Sequence, residues 1–246
     1  IETIFDVPNH DMTITGWDLV NNGYAASAEN GPVITFKKAE ADYVMNTFTT
    51  TNSGIAGVAP NKMILKSLTI TGELRVNTMG IYVHDTNANV TGGTIDQAAF
   101  DTEWHNVNVV DCKISLYTNW YGGAVCVYGT ALLKDCKVKG NVPTSDVPAE
   151  LHDSIYDICM TNNVNATIDG GEFGRILTWE HMALKIQNNA KVDFINWRIN
   201  AVKSSSKLTI ENSTVGILDA TQGSTAPGLG TRLYVDAKSK IDTIIL

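Results

Sequence analysis

The stretch "ALLKDCKVKG" (Ala131–Gly140) sets two apolar residues two apart, Ala131 and Leu133, then Asp135, then Val138 three further on. Alternation with period two is strand language, because successive side chains of a strand point to opposite faces. Asp interrupts it where the chain must bend, since Asp, Asn and Gly tolerate the left-handed backbone better than other residues. The same phrase, an apolar pair, a turn residue and a resumed apolar residue, returns along the chain. Ala88, Val90, Gly92 and Ile95 fit it, as do Val107, Val109, Asp111 and Ile114. Ala166, Ile168, Gly170 and Phe173 follow, then Val192, Phe194, Asn196 and Ile199, then Leu208, Ile210, Asn212 and Val215. Leu68, Ile70, Gly72 and Leu74 form a shortened copy.

With the second apolar residue as marker, copies fall at 90, 109, 133, 168, 194 and 210, spaced by 19, 24, 35, 26 and 16 residues. An irregular period of this size indicates a solenoid in which each repeat is one coil with its own insertions. A second alignment lays "NWYGGAVCVYGTALL" (Asn119–Leu133) on "TWEHMALKIQNNAKV" (Thr178–Val192), matching Val127 with Ile186 and Leu133 with Val192. The two alignments give Val192 different registers, which calls for a bulge or short insertion in that coil. Helical signals are confined to Val147–Ile155, with Pro148 suited to a first helical position.

The turn-and-strand repeat resembles that of right-handed parallel β-helix proteins, the pectate-lyase-like superfamily, from Met63 to Val215 and on toward Ile241. The Gly-rich variants "NVTGGTI" and "ATIDGGEF" resemble repeats in secreted and surface proteins of gut bacteria. The expected fold is therefore all-β, a single-stranded right-handed parallel β-helix. Residues 1–60 are expected to form an irregular N-terminal cap with the first coils, and residues 61–246 the helix proper.

Composition narrows the function. The chain has 246 residues, 43% hydrophobic, only 18% charged, with a net charge of −8. An acidic balance disfavours nucleic acid, whose binding requires a basic stripe. The longest nearly apolar run, Ala124–Leu133, is too short to cross a bilayer as a helix. The chain opens at Ile1 with no leader segment, and with its Asn, Thr, Ser and Gly content it reads as a processed extracellular or cell-surface piece.

Four cysteines lack zinc-site spacing, and the histidines lack metal-ligand spacing, so no metal and no cofactor is expected; calcium stays open, with nothing in the sequence that indicates it. Cys112 and Cys136 each follow a turn residue, with Gly93, Gly171 and Ser213 in equivalent places. They read either as an inter-coil disulfide or as members of a column of small residues inside the bend.

Aromatic residues carry the strongest functional signal. Trp104 in "DTEWHNV", Trp120 and Tyr121 in "TNWYGG" and Trp179 in "TWEHMAL" are expected to project from one side of the solenoid beside Glu103, His105, Glu180 and His181. Flat aromatic faces stack on sugar rings, and carboxylates and imidazoles hydrogen-bond sugar hydroxyls. The other reading folds the tryptophans back over the core. In pectate-lyase-like proteins the corresponding groove often holds polysaccharide. The leading expectation is thus a glycan-binding or adhesin-like module, with Trp104, His105, Trp120, Tyr121, Trp179 and His181 as the binding set.

A polysaccharide lyase or glycoside hydrolase is the alternative, with Asp101, Glu103 and Glu180 as the available carboxylates. The Asn-Thr-Asp, Asp-Asp, Gly-His-Gly and Arg-Ile-Lys motifs of the polygalacturonase-like family are missing, and no Arg stands beside an acidic cluster. A fibre or tail-spike segment is the third reading. The oligomeric state stays open.

Overall fold

The computed structural model describes residues 12–15, 33–36, 49–50, 63–76, 81–82, 84–85, 102–116, 122–127, 130–161, 164–179, 182–198, 206–221 and 232–246. Among them, 19 strands join one sheet, and a second sheet pairs Thr49–Thr50 with His84–Asp85. The pairings are parallel, and each strand lies beside the strand that occupies its position one turn later. The chain is an all-β parallel β-helix.

The register is continuous from one end to the other. Ile14 is level with Leu65, then Trp104, Leu133, Ile168, Ile186, Ile210 and Val235, which makes eight rungs along the first wall. On the second wall, Ile34 is level with Ile70, then Val109, Val138, Phe173, Val192, Val215 and Ile241. A third wall carries Val125, Ile158, Ile176, Ile195, Leu218 and Ile244. From Ile70 to Val215 the second-wall column is fully buried, and Leu133, Ile168 and Ile210 are buried with it. Parallel strands about 4.8 Å apart stack like side chains directly on one another, so one column of apolar residues forms a continuous core. Burying each such side chain contributes roughly 1.5–3 kcal/mol.

The corner between the first two walls explains the turn residue of the repeat. Asn106, Asp135, Gly170, Asn188 and Asn212 stand at equivalent positions, and all have positive φ, between 45° and 72°. Such a backbone is costly for most L-residues and tolerated by Asn, Asp and Gly. The inward place after the corner is small at four of the five, Cys136, Gly171, Ala190 and Ser213, and is filled by the buried Val107 after Asn106. At Gly171 (φ +83°) a Cβ would sit 2.1 Å from the Cys136 carbonyl oxygen, so only glycine fits. Asn189 (φ 63°) is an extra residue in its corner, the insertion that the two registers of Val192 call for.

A second corner runs through Gly72, Asp111 and Gly140, again with positive φ. Two corners of similar wording account for copies that match in sequence but lie on different walls. Val107, Val109, Asp111 and Ile114 stack on Leu68, Ile70, Gly72 and Leu74, at the second corner. The first-corner copy in that coil is Thr102, Trp104, Asn106 and Val109. Likewise Val192 is the residue that resumes the core after Leu184, Ile186 and Asn188, not the start of a copy with Phe194 and Asn196. The true marker spacing runs from 51 residues (14 to 65) down to 18 (168 to 186).

The gapless alignment of Asn119–Leu133 with Thr178–Val192 is also corrected. Val127 lies level with Met160 and hence Thr178, while Leu133 lies level with Ile168 and hence Ile186. The helical signal resolves to a 3-10 helix over Ala149–Ser154, with Pro148 at its N-cap rather than at the first helical position. Residues 88–95, one expected copy, lie outside the described residues.

Candidate functional site

Strand alternation sorts the segment "TEWHNV" into two faces. Trp104 points inward and is fully buried, with its Nε1 lacking a hydrogen-bond partner. Its neighbours on either side turn outward, and there Nε2 of His105 lies 2.6 Å from Oε1 of Glu103. The two side chains keep 31% and 22% of their surface, so the pair faces solvent from the outside of the first wall. Lys134 is level with His105 one rung on and is exposed. Further along this outer face, Lys185 Nζ meets Glu211 Oε2 at 2.8 Å, and Tyr234 is exposed on the last rung. Carboxylate, imidazole, ammonium and phenol groups thus line one flat wall.

The structure removes Trp104 from the expected indole strip: an indole in the core cannot stack on a ligand. Trp179 ends the Glu172–Trp179 strand, level with Thr161 and Arg198. Gly122, which follows Tyr121, is level with Ile155, at the other end of that same wall. Six residues separate the two levels, roughly 20 Å of strand. Asp101, Trp120, Tyr121, Glu180 and His181 lie outside the described residues. Of the three carboxylates considered for catalysis, only Glu103 is described, and it is engaged with His105.

Cys112 and Cys136 are free thiols, each buried. They belong to different corners: Cys136 follows the first-corner Asp135, Cys112 the second-corner Asp111. Cys112 Sγ lies 3.6 Å from the Ile70 carbonyl, and Cys136 Sγ 3.6 Å from that of Trp104. Each thiol therefore bonds down to the preceding rung, and of the two readings the structure has the small residue inside the bend, not the disulfide. Burial pushes both thiols up to about 12, with the corner aspartates adding to the shift.

A buried polar seam was not singled out from the sequence. Asp157, 5% exposed, accepts from Asn141 through Oδ1 (backbone N–H at 3.1 Å, Nδ2 at 2.7 Å) and from the Arg175 backbone N–H through Oδ2 at 2.7 Å. Asn141 continues the chain by donating to the Val109 carbonyl at 3.1 Å and accepting from the Cys112 backbone N–H at 3.0 Å. The Arg175 guanidinium donates to the carbonyls of Ile155 and Asp153 at 3.0 and 2.9 Å, and lies over the rings of Tyr156 and Phe194. Burial raises the Asp157 carboxyl, against the opposing pull of these donors. The seam ties four rungs together and holds the 3-10 segment against the wall. Its one sequence signal is an Asp set inside the apolar run "IYDICM".

Among the described residues no group of three or more His, Cys, Asp or Glu is placed to hold a metal ion. None of their helices is long and apolar enough to cross a membrane. Comparison of the chain with protein-family models, curated proteins and solved structures finds no match.

Proposed function

We propose that this chain is an extracellular β-helix domain of the pectate-lyase-like type that acts as a glycan-binding or adhesin-like surface module. The observation that carries the reading is the Glu103–His105 pair on the outside of the first wall, beside Lys134. Carboxylate and imidazole held 2.6 Å apart on a rigid strand offer paired acceptor and donor groups, which is what vicinal sugar hydroxyls need. A stiff wall holds them in place without an ordering cost on binding. Trp120, Tyr121, Trp179 and His181 are retained as flanking contacts, because their aromatic and imidazole groups suit pyranose faces and hydroxyls.

The experiment is a polysaccharide and glycan-array panel with the intact chain. Binding to a defined glycan class is expected, weakened roughly tenfold or more, about 1.4 kcal/mol, in a Glu103→Gln, His105→Ala double variant. A Trp120→Ala, Trp179→Ala double variant tests the flanking contacts separately. No binding anywhere on the panel defeats the proposal. Release of reducing ends or unsaturated uronides replaces it with an enzyme.

A further inference from the structure

The third wall brings two cysteines level with each other. Cys126 lies in Gly122–Val127 and Cys159 in Ile155–Thr161, and the register of these parallel neighbours pairs the two positions directly. In the chain they are 33 residues apart (159 minus 126), with the coil that carries the 3-10 segment between them. Alternation assigns both positions to the outer face of the wall. Val125 and Val127 are core residues on either side of position 126, and Ile158 and Met160 flank Cys159 in the same way. Cys159 stands outside that core cluster and is still only 2% exposed. Its sulfur lies against the strand that carries Cys126, since a Cβ on Gly123 would come within 2.8 Å of it. On its other side Cys159 is level with Leu177, 1% exposed, which brings no ligating group.

Register is what separates this pair from Cys112 and Cys136, which belong to different corners and reach backbone carbonyls. Level positions on neighbouring parallel strands stand about 4.8 Å apart at Cα. That lies inside the span of roughly 4.4–6.8 Å that a disulfide bridges. Two sulfurs alone fall short of a structural zinc site. We propose that Cys126 and Cys159 form a disulfide across these two rungs. One thiolate attacks a sulfur of a small-molecule or protein disulfide, and the second thiol then resolves the mixed disulfide. An S–S bond forms between Cys126 and Cys159, the S–S bond of the oxidant breaks, and the electron pair and both protons end on the oxidant's two thiols. The bond closes a loop around the coil of the 3-10 segment, which restricts the unfolded chain and staples the two rungs together. The inference rests on register and burial, and it stands whether or not the domain binds glycans.

The test equilibrates the intact chain with oxidised glutathione, unfolds it in denaturant with an alkylating agent, and maps its peptides by mass spectrometry without reduction. One linked peptide pair is expected, holding Cys126 and Cys159, with Cys112 and Cys136 alkylated. The unfolded oxidised chain then shows two thiols where the reduced chain shows all four. The melting temperature of the oxidised chain should lie roughly 5–10 °C above that of the reduced chain. Cys126→Ser and Cys159→Ser each form no internal link and lose that difference. Circular dichroism checks the fold of each variant, with Cys126→Ala and Cys159→Ala as replacements should either fail to fold. Four alkylated thiols in the wild-type chain after equilibration overturn the proposal. So does a link between any other two cysteines.

Discussion

The Cys136 thiol lies 3.6 Å from the carbonyl oxygen of Trp104 on the preceding rung and 3.4 Å from that of Lys134 beside its own corner. Ser213 fills the equivalent place and donates to the Glu211 carbonyl at 2.9 Å. At these two corners the slot holds a small side chain that donates to a backbone carbonyl. Cys112 does the same at the second corner, reaching the carbonyls of Ile70 and Val110.

Because both thiols are buried and raised to about 12, neither is a thiolate in the folded protein near neutral pH. Ellman's reagent at pH 8 is expected to leave Cys112 and Cys136 unlabelled until denaturant is added. In a Cys126→Ser background a reducing agent should leave the melting temperature unchanged. Loss of stability on reduction there would mean that Cys112 and Cys136 are linked after all.

Gly171→Ala is expected to be among the most damaging single-methyl changes in the chain. The backbone there has φ +83°, and the new Cβ would meet the Cys136 carbonyl oxygen, part of the neighbouring rung's backbone. Left-handed strain alone costs about 1–3 kcal/mol, before any displacement of the rung. Denaturant unfolding reads the loss; a change within experimental error would show that the corner is looser than its geometry.

Trp104 gives a sharp contrast between core and ligand roles. Trp104→Ala should cost roughly 3–5 kcal/mol, as truncation of large buried aromatics does, while Trp104→Phe should keep the fold with a smaller loss. The emission of Trp104, isolated by difference between wild type and Trp104→Phe, should be blue-shifted and insensitive to added polysaccharide. Quenching of that emission by a glycan would place the indole at a surface.

Asp157 should give the stability curve a recognisable slope. Its native carboxyl is raised above the ordinary carboxylate range. Between the unfolded and native titrations the folded chain holds more protons than the unfolded one, so stability falls as pH rises through that window. Asp157→Asn removes the slope. It also lowers stability at every pH, because the new amide cannot accept from Asn141 and also from the Arg175 N–H, both of which Asp157 accepts now. Melting temperatures measured across the acidic to neutral range test this, and a variant that keeps the wild-type slope would assign it to another group.

The strands and their corners were legible because both depend on local chemistry. Ala131, Leu133, Asp135 and Val138 record an alternation and a left-handed bend that the chain needs wherever it turns. Register was legible only in part. The first and second corners use nearly the same words, so Val107–Ile114 matched Ala131–Val138 in sequence while stacking on Leu68–Leu74 in space. Of the candidate site, Trp104, Glu103 and His105 were expected on one projecting side, whereas strand parity sets Glu103 and His105 outward and turns Trp104 between them into the core.

Taken alone, the sequence determines an all-β solenoid with Asn, Asp or Gly at its bends, because backbone tolerance and alternation are properties of neighbouring residues. Which rung lies on which was decided only by the tertiary structure, since coil length varies and stacking optimises the whole column rather than any one phrase. The same holds for the Asn141–Asp157–Arg175 seam. Its members are 16 and 18 residues apart, and they become partners only when the coils bring a carboxylate and its donors to one dry place.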